Sequence, residues 1–471
     1  MKNSAVNSQK ITNQKGMSEM ENKNTKVNTN ANKTEIAKRK AAPLRNERIL
    51  AENFTVSNDT RISQLNNNDM IVGPSGAGKT TGYVIPNILQ FNSSMVVADT
   101  KGNLHRTLSP ALKRNGYAIR VIDFVHPENS SAYNPLDYIH RDPETGRFRE
   151  QDIITVTNAL VQDNSVDVFW SDSAKNVVSC LIGYVLEAFP RDKQNLYSVL
   201  RLYNLMANQI NMRITGEAPN VPFLEEWALK YPDSFAVQKY RMFKYVFTSD
   251  RTWSSITQFV TNALSPFQFE EARTLFAAPP NFRFEDLGRR RTIVFLNVSD
   301  CDRAFDGLIN LFYTQALQAL INEADKNPDS RLKVPVRLIL DDFATNAVIP
   351  DFDKTISVIR SREISVSVIL QSLSQLESMY GKACRTIINN CDHILYLGGV
   401  DLDTAEYIAH RVSKPSDVIM NMPIDKVWVL ERGQRGMLMD RIKPSSVMER
   451  IHDREDIPEK QEERSSDISK E

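Results

Sequence analysis

The sequence is poor in cysteine, contains no long apolar run and carries no excess charge of either sign. Its four cysteines are scattered without a C-x-x-C pair, which argues against a zinc site and for a reducing compartment. No stretch approaches the roughly 18 consecutive apolar residues of a membrane-spanning helix, and the polar amino terminus lacks the pattern of a secretory signal. Basic and acidic residues number 58 each, so the overall charge does not indicate a nucleic-acid-binding protein.

Charge is nevertheless unevenly distributed along the 471 residues, a length sufficient for two or three domains. Residues 1–50 carry eight lysines and three arginines against four glutamates, a net charge of +7. Residues 1–45 are nearly free of large apolar side chains, which predicts a disordered basic arm. The segment from Lys38 to Arg48 could contact nucleic acid, anionic lipid or an acidic partner, or serve only as a solvated tail. Residues 453–471 are predicted to form a disordered, charged tail.

A glycine-rich stretch directly after the apolar run Met70–Val72 fits the pattern G-x-x-x-x-G-K-[ST] of a phosphate-binding loop. Its residues are Gly73, Pro74, Ser75, Gly76, Ala77, Gly78, Lys79, Thr80 and Thr81. In such a loop the glycines let backbone N–H groups point at phosphates, Lys79 reaches the β- and γ-phosphates, and the Thr80 hydroxyl completes a Mg²⁺ site. A predicted strand before the loop and a predicted helix after it favour this function over a chance match. The sequence therefore predicts a site for a nucleoside triphosphate.

Short apolar runs alternate with helical segments on both sides of a helical middle region, a pattern typical of a parallel α/β sheet. Between residues 148 and 285 apolar residues recur at three- and four-residue spacing, and strand signals largely vanish. We therefore predict an α/β nucleotide-binding domain in two parts, 46–147 and 286–452, with an all-helical domain inserted at 148–285. Within the inserted domain, Phe169, Trp170 and Trp253 are expected to be core or interface anchors rather than platforms for stacking bases.

A later apolar run, Val336 to Leu340, ends in the two acids Asp341 and Asp342. Strand ends often carry acids, but together with the phosphate loop this pair predicts the acidic side of a nucleotide site. Asp341 would hold Mg²⁺, and Asp342 would orient or activate the attacking water. Further strands are predicted at Ser365–Leu370, which is followed by Gln371, and at His393–Leu397, with a terminal hairpin at Lys426–Leu430 and Gly436–Ile442.

Six spaced motifs together resemble the TraG-like type IV coupling proteins, which are ATPases that bring substrates to conjugative type IV secretion channels. The motifs are GPSGAGKT, VVADTKGNL, YNPLDYI, LILDDFA, RSREISVSVILQSLSQLESMYG and NNCDHILYLGG. The similarity runs from about Ile49 to about Arg450. It implies a RecA-like P-loop NTPase domain with an inserted all-alpha domain, and ATP and Mg²⁺ as cofactors.

The resemblance also implies roles for individual residues. Lys79 and Thr80 match the Walker A residues, and Asp341 matches the Walker B acid on the Mg²⁺ side. Arg360 matches an arginine that is expected to reach the γ-phosphate bound by a neighbouring subunit, unless it is only a solvated charge on a helix face. Gln371 matches the position of a γ-phosphate sensor, unless it is an ordinary polar strand end.

The sequence departs from the family pattern in three places. Asp342 stands where the family has glutamate, and its carboxylate would fall about 1.5 Å short, a misplacement that can cost roughly a hundredfold in rate. Asp99-Thr100-Lys101-Gly102-Asn103 replaces the usual D-P-K-G-E. Most members carry N-terminal transmembrane helices and this sequence shows none, so contact with the membrane is expected to run through a partner protein.

Two functions follow from the resemblance. The first is a cytoplasmic, membrane-peripheral ATPase that acts as a homo-hexamer. It would bind DNA without sequence specificity together with a relaxase or relaxosome. It would use ATP hydrolysis to drive the transfer of this DNA to the type IV secretion channel proteins. The alternative is a nucleotide-gated docking protein with little or no motor activity, which the shorter Asp342 favours.

Overall fold

A computed structural model describes residues 46–161, 168–211, 221–277, 282–299, 305–341, 343, 348–443 and 445. The predicted basic arm and the predicted charged tail lie outside the described residues, and so does Asp342. Within the described ranges, no helix combines the length and the apolar character needed to cross a membrane.

The described part of the chain contains one nine-stranded sheet and one small hairpin. In chain order the strands are β1 (Glu47–Ala51), β2 (Phe54–Ser57), β3 (Asp69–Val72), β4 (Ser94–Ala98), β5 (Ala118–Asp123), β6 (Thr292–Asn297), β7 (Val336–Leu340), β8 (Ile364–Leu370), β9 (His393–Tyr396), β10 (Lys426–Glu431) and β11 (Met437–Asp440). The large sheet has the order β11-β10-β9-β3-β8-β7-β4-β6-β5. All neighbours from β9 to β5 are parallel, and β10 and β11 add the predicted antiparallel hairpin at one edge.

The central strands are buried on both faces, which explains why they are continuous apolar runs in the sequence. Successive side chains of β3 point to opposite faces of the sheet. Met70 and Val72 belong to the hydrophobic core that extends into the helical middle region, whereas Ile71 packs in the core on the other face. The alternation fixes the register of β3, because a slip of one residue would exchange the two faces.

The chain between β5 and β6 forms helices and, in its described residues, no strand beyond one isolated bridge between Arg141 and Phe148. Up to residue 277 its α-helices are Glu150–Leu160, Val168–Ala188, Leu196–Asn211, Pro222–Lys230, Phe235–Phe243, Asp250–Leu264 and Glu270–Ala277. The described part of the region is thus all-helical as predicted, and Trp253 is 4 % exposed in its core. The domain boundaries at 148 and 285 stay predictions.

The remaining helices cover the two faces of the sheet or connect its strands. They are Thr60–Ser63, the π-helix Thr80–Val84, Ile85–Ile88, Asn103–Arg114, Glu285–Arg289, Asp306–Asp325, Phe352–Val358, Leu373–Tyr380, Cys384–Asn389, Leu402–Val412 and Ser416–Met420. The π-helix directly follows the glycine-rich loop, so it carries Thr80 at its first position.

Sequence patterns did not predict the hairpin β1–β2, and they misplaced Arg48. The hairpin pairs antiparallel, and its apolar side chains Leu50 and Phe54 pack in the core on the Ile71 face of the sheet. Arg48 was predicted to belong to the accessible basic segment, which is wrong. Its side chain is 2 % exposed and bonds the carboxylate of Asp69. A buried guanidinium needs such a partner, because burying an unpaired charge is costly.

Gly183 provides a test of the packing in the helical region. A Cβ atom at Gly183 would lie 2.8 Å from Cδ1 of Phe235, so Gly183→Ala should lower the free energy of unfolding by about 1 to 2 kcal/mol. In Gly82→Ala the nearest neighbour of the new Cβ is the Ile442 carbonyl at 3.9 Å, and this control should not be destabilised. Urea unfolding of both variants measures the difference. Equal stability of the two would contradict the close packing at Gly183.

Candidate nucleotide-binding site

The glycine-rich loop occupies the turn between β3 and the π-helix Thr80–Val84. Gly76 and Gly78 adopt φ angles of +76° and +80°, in the left-handed region that favours glycine. Gly73 is required for a different reason, since a Cβ there would lie 2.8 Å from Cβ of Leu397. The backbone thus takes the curled path that a phosphate-binding loop needs.

Lys79 lies across the inside of this curve. Its side chain is buried, with 7 % exposed. The ammonium group donates hydrogen bonds to the carbonyl oxygens of Gly73 and Pro74, at 2.8 and 3.1 Å. Both acceptors belong to the loop itself, so phosphate oxygens could exchange with them without breaking an ion pair to a carboxylate.

Thr80 and Asp341 meet at the mouth of the loop. The Thr80 hydroxyl donates a hydrogen bond to Oδ2 of Asp341 at 2.8 Å, although the residues are 261 positions apart. They meet because β3 and β7 are parallel members of one sheet, and the carboxyl ends of parallel strands share an edge.

The donor set at this mouth fits Mg²⁺ bound together with a phosphate. Mg²⁺ prefers oxygen ligands and usually combines one or two protein oxygens with phosphates and waters. The pair of one hydroxyl and one carboxylate matches that preference. The described residues contain no group of three or more His, Cys, Asp or Glu side chains that could hold a metal ion by themselves.

Gln371 is brought to the same edge. It follows β8, and the Gly73 N–H donates to the carbonyl of the preceding residue, Leu370, at 3.1 Å. The Gln371 side chain is exposed, and its backbone N–H donates to Oε1 of Gln375. Its predicted role as a sensor stays a prediction, and so does that of Asp342, which lies outside the described residues.

Arg360 is not brought to this edge. It opens the 3₁₀ turn Arg360–Arg362, which precedes β8, whereas Gln371 follows β8. The seven residues of β8 place the two about 23 Å apart along the strand, at roughly 3.3 Å per residue. Arg360 therefore lies at the amino edge of the sheet and cannot contact the loop of its own chain.

The turn that carries Arg360 is firmly held while Arg360 itself is exposed. Arg362 donates two hydrogen bonds to the carboxylate of Asp325, at 2.8 and 3.1 Å, and Glu363 pairs with Arg331. Among the residues that the structure describes, Arg360 has no ion-pair partner. It lines a cavity of about 280 Å³ at the amino edge. The turn is thus a rigid base for a guanidinium that points to solvent.

Arg441 is a residue of this site that sequence analysis missed. Its guanidinium donates to the carbonyl of Ala77 in the loop at 2.9 Å, to that of Lys426 at 2.7 Å, and to that of Leu397. Burial lowers the pKa of Arg441, and the nearby charge of Asp425 opposes this shift. The only signal in the sequence was its place in the terminal hairpin, because its contacts to the loop are long-range.

A second cavity, of about 520 Å³, adjoins the loop on the side of Arg441. We call it the loop-side cavity. It is lined by side chains of the β1–β2 hairpin, the π-helix and the segments around β10 and β11, among them Leu50, Glu52, Thr81, Ile424 and Ile442. Its mixed apolar and polar lining suits a planar ring with polar substituents.

Comparison with known protein families identifies relatives of this chain. A family model described as type IV secretory system conjugative DNA transfer matches residues 13–415. The VirD4 proteins of Rhizobium rhizogenes and Agrobacterium fabrum are each 24 % identical to this chain, over 349 and 347 residues. Each alignment covers 73 % of this chain and 49 % of the relative, so the chain spans about half the length of these curated relatives.

Solved structures share the fold. The unbound bacterial conjugative coupling protein TrwBdeltaN70 matches with a TM-score of 0.60 and 12 % identity, over 87 % of this chain and 91 % of that one. TrwB in complex with ADP and Mg²⁺ matches with a TM-score of 0.56 and 12 % identity, over 80 % and 85 % of the two chains. These likenesses confirm the predicted fold class, an α/β RecA-like P-loop NTPase domain with an inserted all-alpha domain.

The contact between Arg441 and the loop predicts a measurable effect on ligand affinity. Arg441→Ala removes the donor to the Ala77 carbonyl, so the loop should lose its support and the affinity for Mg²⁺-ATP should fall about tenfold. Titration with a fluorescent ATP analogue measures this. Arg435→Ala removes an exposed arginine from the same hairpin and is the matched control. Equal affinities of the two variants would show that Arg441 does not support the loop.

Proposed function

The chain belongs to the type IV secretory system conjugative DNA transfer family, and on that basis we propose that it is an ATP-hydrolysing coupling protein. In this proposal it recruits DNA with its relaxase and drives their transfer to the channel of a conjugative type IV secretion system. The observation that carries the proposal is the Thr80–Asp341 hydrogen bond of 2.8 Å at the mouth of a loop that encloses Lys79.

Different residues of the site would bind different parts of Mg²⁺-ATP. Lys79 and the backbone N–H groups of the loop would bind the phosphates. Thr80 and Asp341 would hold the Mg²⁺ ion, which would supply positive charge to offset the negative charge of the phosphates. The loop-side cavity, with Glu52 and Arg441 in its lining, would receive the base and ribose.

Hydrolysis would use residues from two subunits. Asp342 would orient the attacking water, and Gln371 would contact the γ-phosphate from the end of β8. Arg360 would come from a neighbouring subunit, since it lies at the opposite edge of the sheet from the loop of its own chain. A turn held by Arg362 and Glu363 suits this role, because the backbone that carries Arg360 needs little further ordering when the guanidinium docks.

In this proposal each site is incomplete in a single chain, which supports an oligomer as the active form, and we propose that this oligomer is a homo-hexameric ring. DNA would be bound mainly through its phosphates, so binding should be independent of sequence and strongly dependent on salt. Partner proteins would include the relaxase or relaxosome and the channel proteins. Contact with the cytoplasmic face of the membrane would run through a partner protein.

The identity of residue 342 favours a second candidate function. An aspartate reaches less far than the glutamate of related ATPases, and a displaced base slows hydrolysis. In that case ATP binding would order the protein and present it to the relaxosome, with turnover too slow to drive movement.

Measured turnover separates the motor from the docking protein. We expect ATP hydrolysis that DNA stimulates and that Lys79→Ala reduces to background, because the phosphates lose their ammonium partner. Phosphate release is followed with and without single-stranded and double-stranded DNA. Lys382→Ala, which removes an exposed lysine outside the described site, is the control and should retain activity. ATP binding without turnover under any DNA would exclude the motor and favour the docking function.

A mixing experiment tests whether Arg360 acts on a neighbour. Arg360→Ala should reduce turnover about a thousandfold, the effect of removing an arginine that stabilises the transition state. Mixed with Lys79→Ala it should recover part of the activity, because one variant retains an intact loop and the other an intact Arg360. Arg385→Ala, another exposed arginine, should be as active as the unaltered chain. Failure of the mixture to recover activity would contradict action between subunits.

A further inference from the structure

A buried polar cluster lies beneath the candidate site and uses residues that the proposed chemistry does not. We call it the Asp69 cluster. Its members are all at most 6 % exposed: Arg48, Asp69, Tyr83, Arg337, Ser367 and His393. They come from β1, β3, the π-helix, β7, β8 and β9, so the cluster joins the strands that lead to the loop, to Asp341 and to Gln371.

The carboxylate of Asp69 is the centre of the cluster. The Tyr83 hydroxyl donates to Oδ2 at 2.5 Å, and Nη1 of Arg337 donates to the same oxygen at 3.2 Å. Arg48 donates from Nε to Oδ2 at 2.8 Å and to Oδ1 at 3.0 Å. Ser367 adds a second bridge, with its Oγ 2.8 Å from the Tyr83 hydroxyl and 3.0 Å from Nη1 of Arg337. Burial opposes the charge, but Arg48 and Arg337 hold the pKa of Asp69 below its ordinary value.

These contacts join the same elements that meet again at the mouth of the loop. Asp69 is four residues before Gly73, and Arg337 is four residues before Asp341. Four residues of a strand span about 13 Å. Tyr83 is three residues after Thr80 and belongs to the same π-helix, a kind of turn that is often found at functional sites. The cluster therefore joins the π-helix that carries Thr80 to the strand that leads to Asp341 at a second point, further inside the protein.

The helix after the loop has another anchor on the same side. The Asn87 amide donates to the Ile49 carbonyl at 2.8 Å and accepts from the Ile49 N–H at 2.8 Å, so it pairs with β1 as a strand would. The same amide nitrogen donates to the Tyr83 carbonyl at 2.8 Å. The hairpin thus holds Tyr83 through its backbone, and Asp69 holds it through its hydroxyl.

Apolar side chains would fill this space at lower cost in desolvation, since buried ion pairs are often no more stabilising than apolar residues of similar volume. What a cluster of directional bonds provides instead is a fixed spacing between the elements that it joins. The nearest functional consequence of that spacing is the 2.8 Å approach of Thr80 to Asp341.

We propose that Asp69, acting through Tyr83 and Arg337, is a positioning residue that sets the spacing of Thr80 and Asp341 for Mg²⁺ binding. This inference rests on the proposed function, in which those two residues hold the metal ion. Phosphate binding and Mg²⁺ binding then depend on different residues. Lys79 and the loop backbone bind the phosphates whether or not the metal ion is present, whereas the Thr80–Asp341 pair contributes only when Mg²⁺ is bound.

The test uses Tyr83→Phe in the full chain, which removes one hydroxyl and keeps the ring. ATP binding is measured in EDTA and then across a Mg²⁺ titration. The apparent affinity for Mg²⁺ should fall about fivefold, because the π-helix that carries Thr80 loses the hydrogen bonds of the Tyr83 hydroxyl to Asp69 and Ser367. Binding of ATP in EDTA should change less than about twofold. Ser367→Ala removes the bridge between Tyr83 and Arg337, and it should shift the Mg²⁺ dependence in the same direction.

Tyr133→Phe is the matched control. The Tyr133 hydroxyl is buried and donates to Oε1 of Gln315 at 2.7 Å, away from the Asp69 cluster. Urea unfolding should show a loss of stability in both tyrosine variants, but only Tyr83→Phe should change the Mg²⁺ dependence. Equal losses of ATP binding with and without Mg²⁺, or the same shift in Tyr133→Phe, would overturn the positioning role. Absence of ATP binding in the unaltered chain would instead overturn the proposed function, and this inference with it.

Discussion

The parallel alignment of β3, β7 and β8 is the constraint on which the candidate site depends. Parallel strands bring their carboxyl ends to one edge, so the residues that follow each strand meet there whatever their distance in sequence. Thr80 and Asp341 are 261 residues apart and hydrogen bonded, and Gly73 bonds to the carbonyl at the end of β8. The glycine-rich loop alone could bind phosphate, but only this alignment supplies the acid opposite it.

The helical region does not disturb that alignment, because it is inserted between two strands that still pair with each other. β5 precedes the region and β6 follows it, yet the two are paired in parallel register from Ala118–Thr292 to Asp123–Asn297. The region shares a continuous core with one face of the sheet. Tyr133, for example, packs edge-on against Phe312 and donates its hydroxyl to Gln315. The insertion therefore leaves β5 and β6 adjacent in the sheet that carries the site.

Strand polarity also places Arg360 and the loop of the same chain at opposite edges of the sheet. Gln371 and Arg360 stand at opposite ends of β8, so a chain that presents Gln371 to its own loop necessarily turns Arg360 away from it. The same strand gives Ser367 to the buried cluster between them. Strand β8 thus runs from the sheet edge with Arg360, which would face a neighbouring subunit in the proposed ring, through the buried cluster to the edge with the candidate nucleotide site.

Features that depend on local order could be predicted from the sequence, and those that depend on distant partners could not. The loop from Gly73 to Thr81, the apolar strands and the helical middle region follow from spacing and composition, which act over a few residues. Arg48 shows the opposite case, because it ends the basic segment Lys38–Arg48, which indicates a solvated chain. Its partners Asp69 and His393 lie 21 and 345 residues away, and only the tertiary fold brings them close enough to bury the charge. Arg441 was missed for the same reason, since a hydrogen bond across 364 residues leaves no periodic signal in the chain.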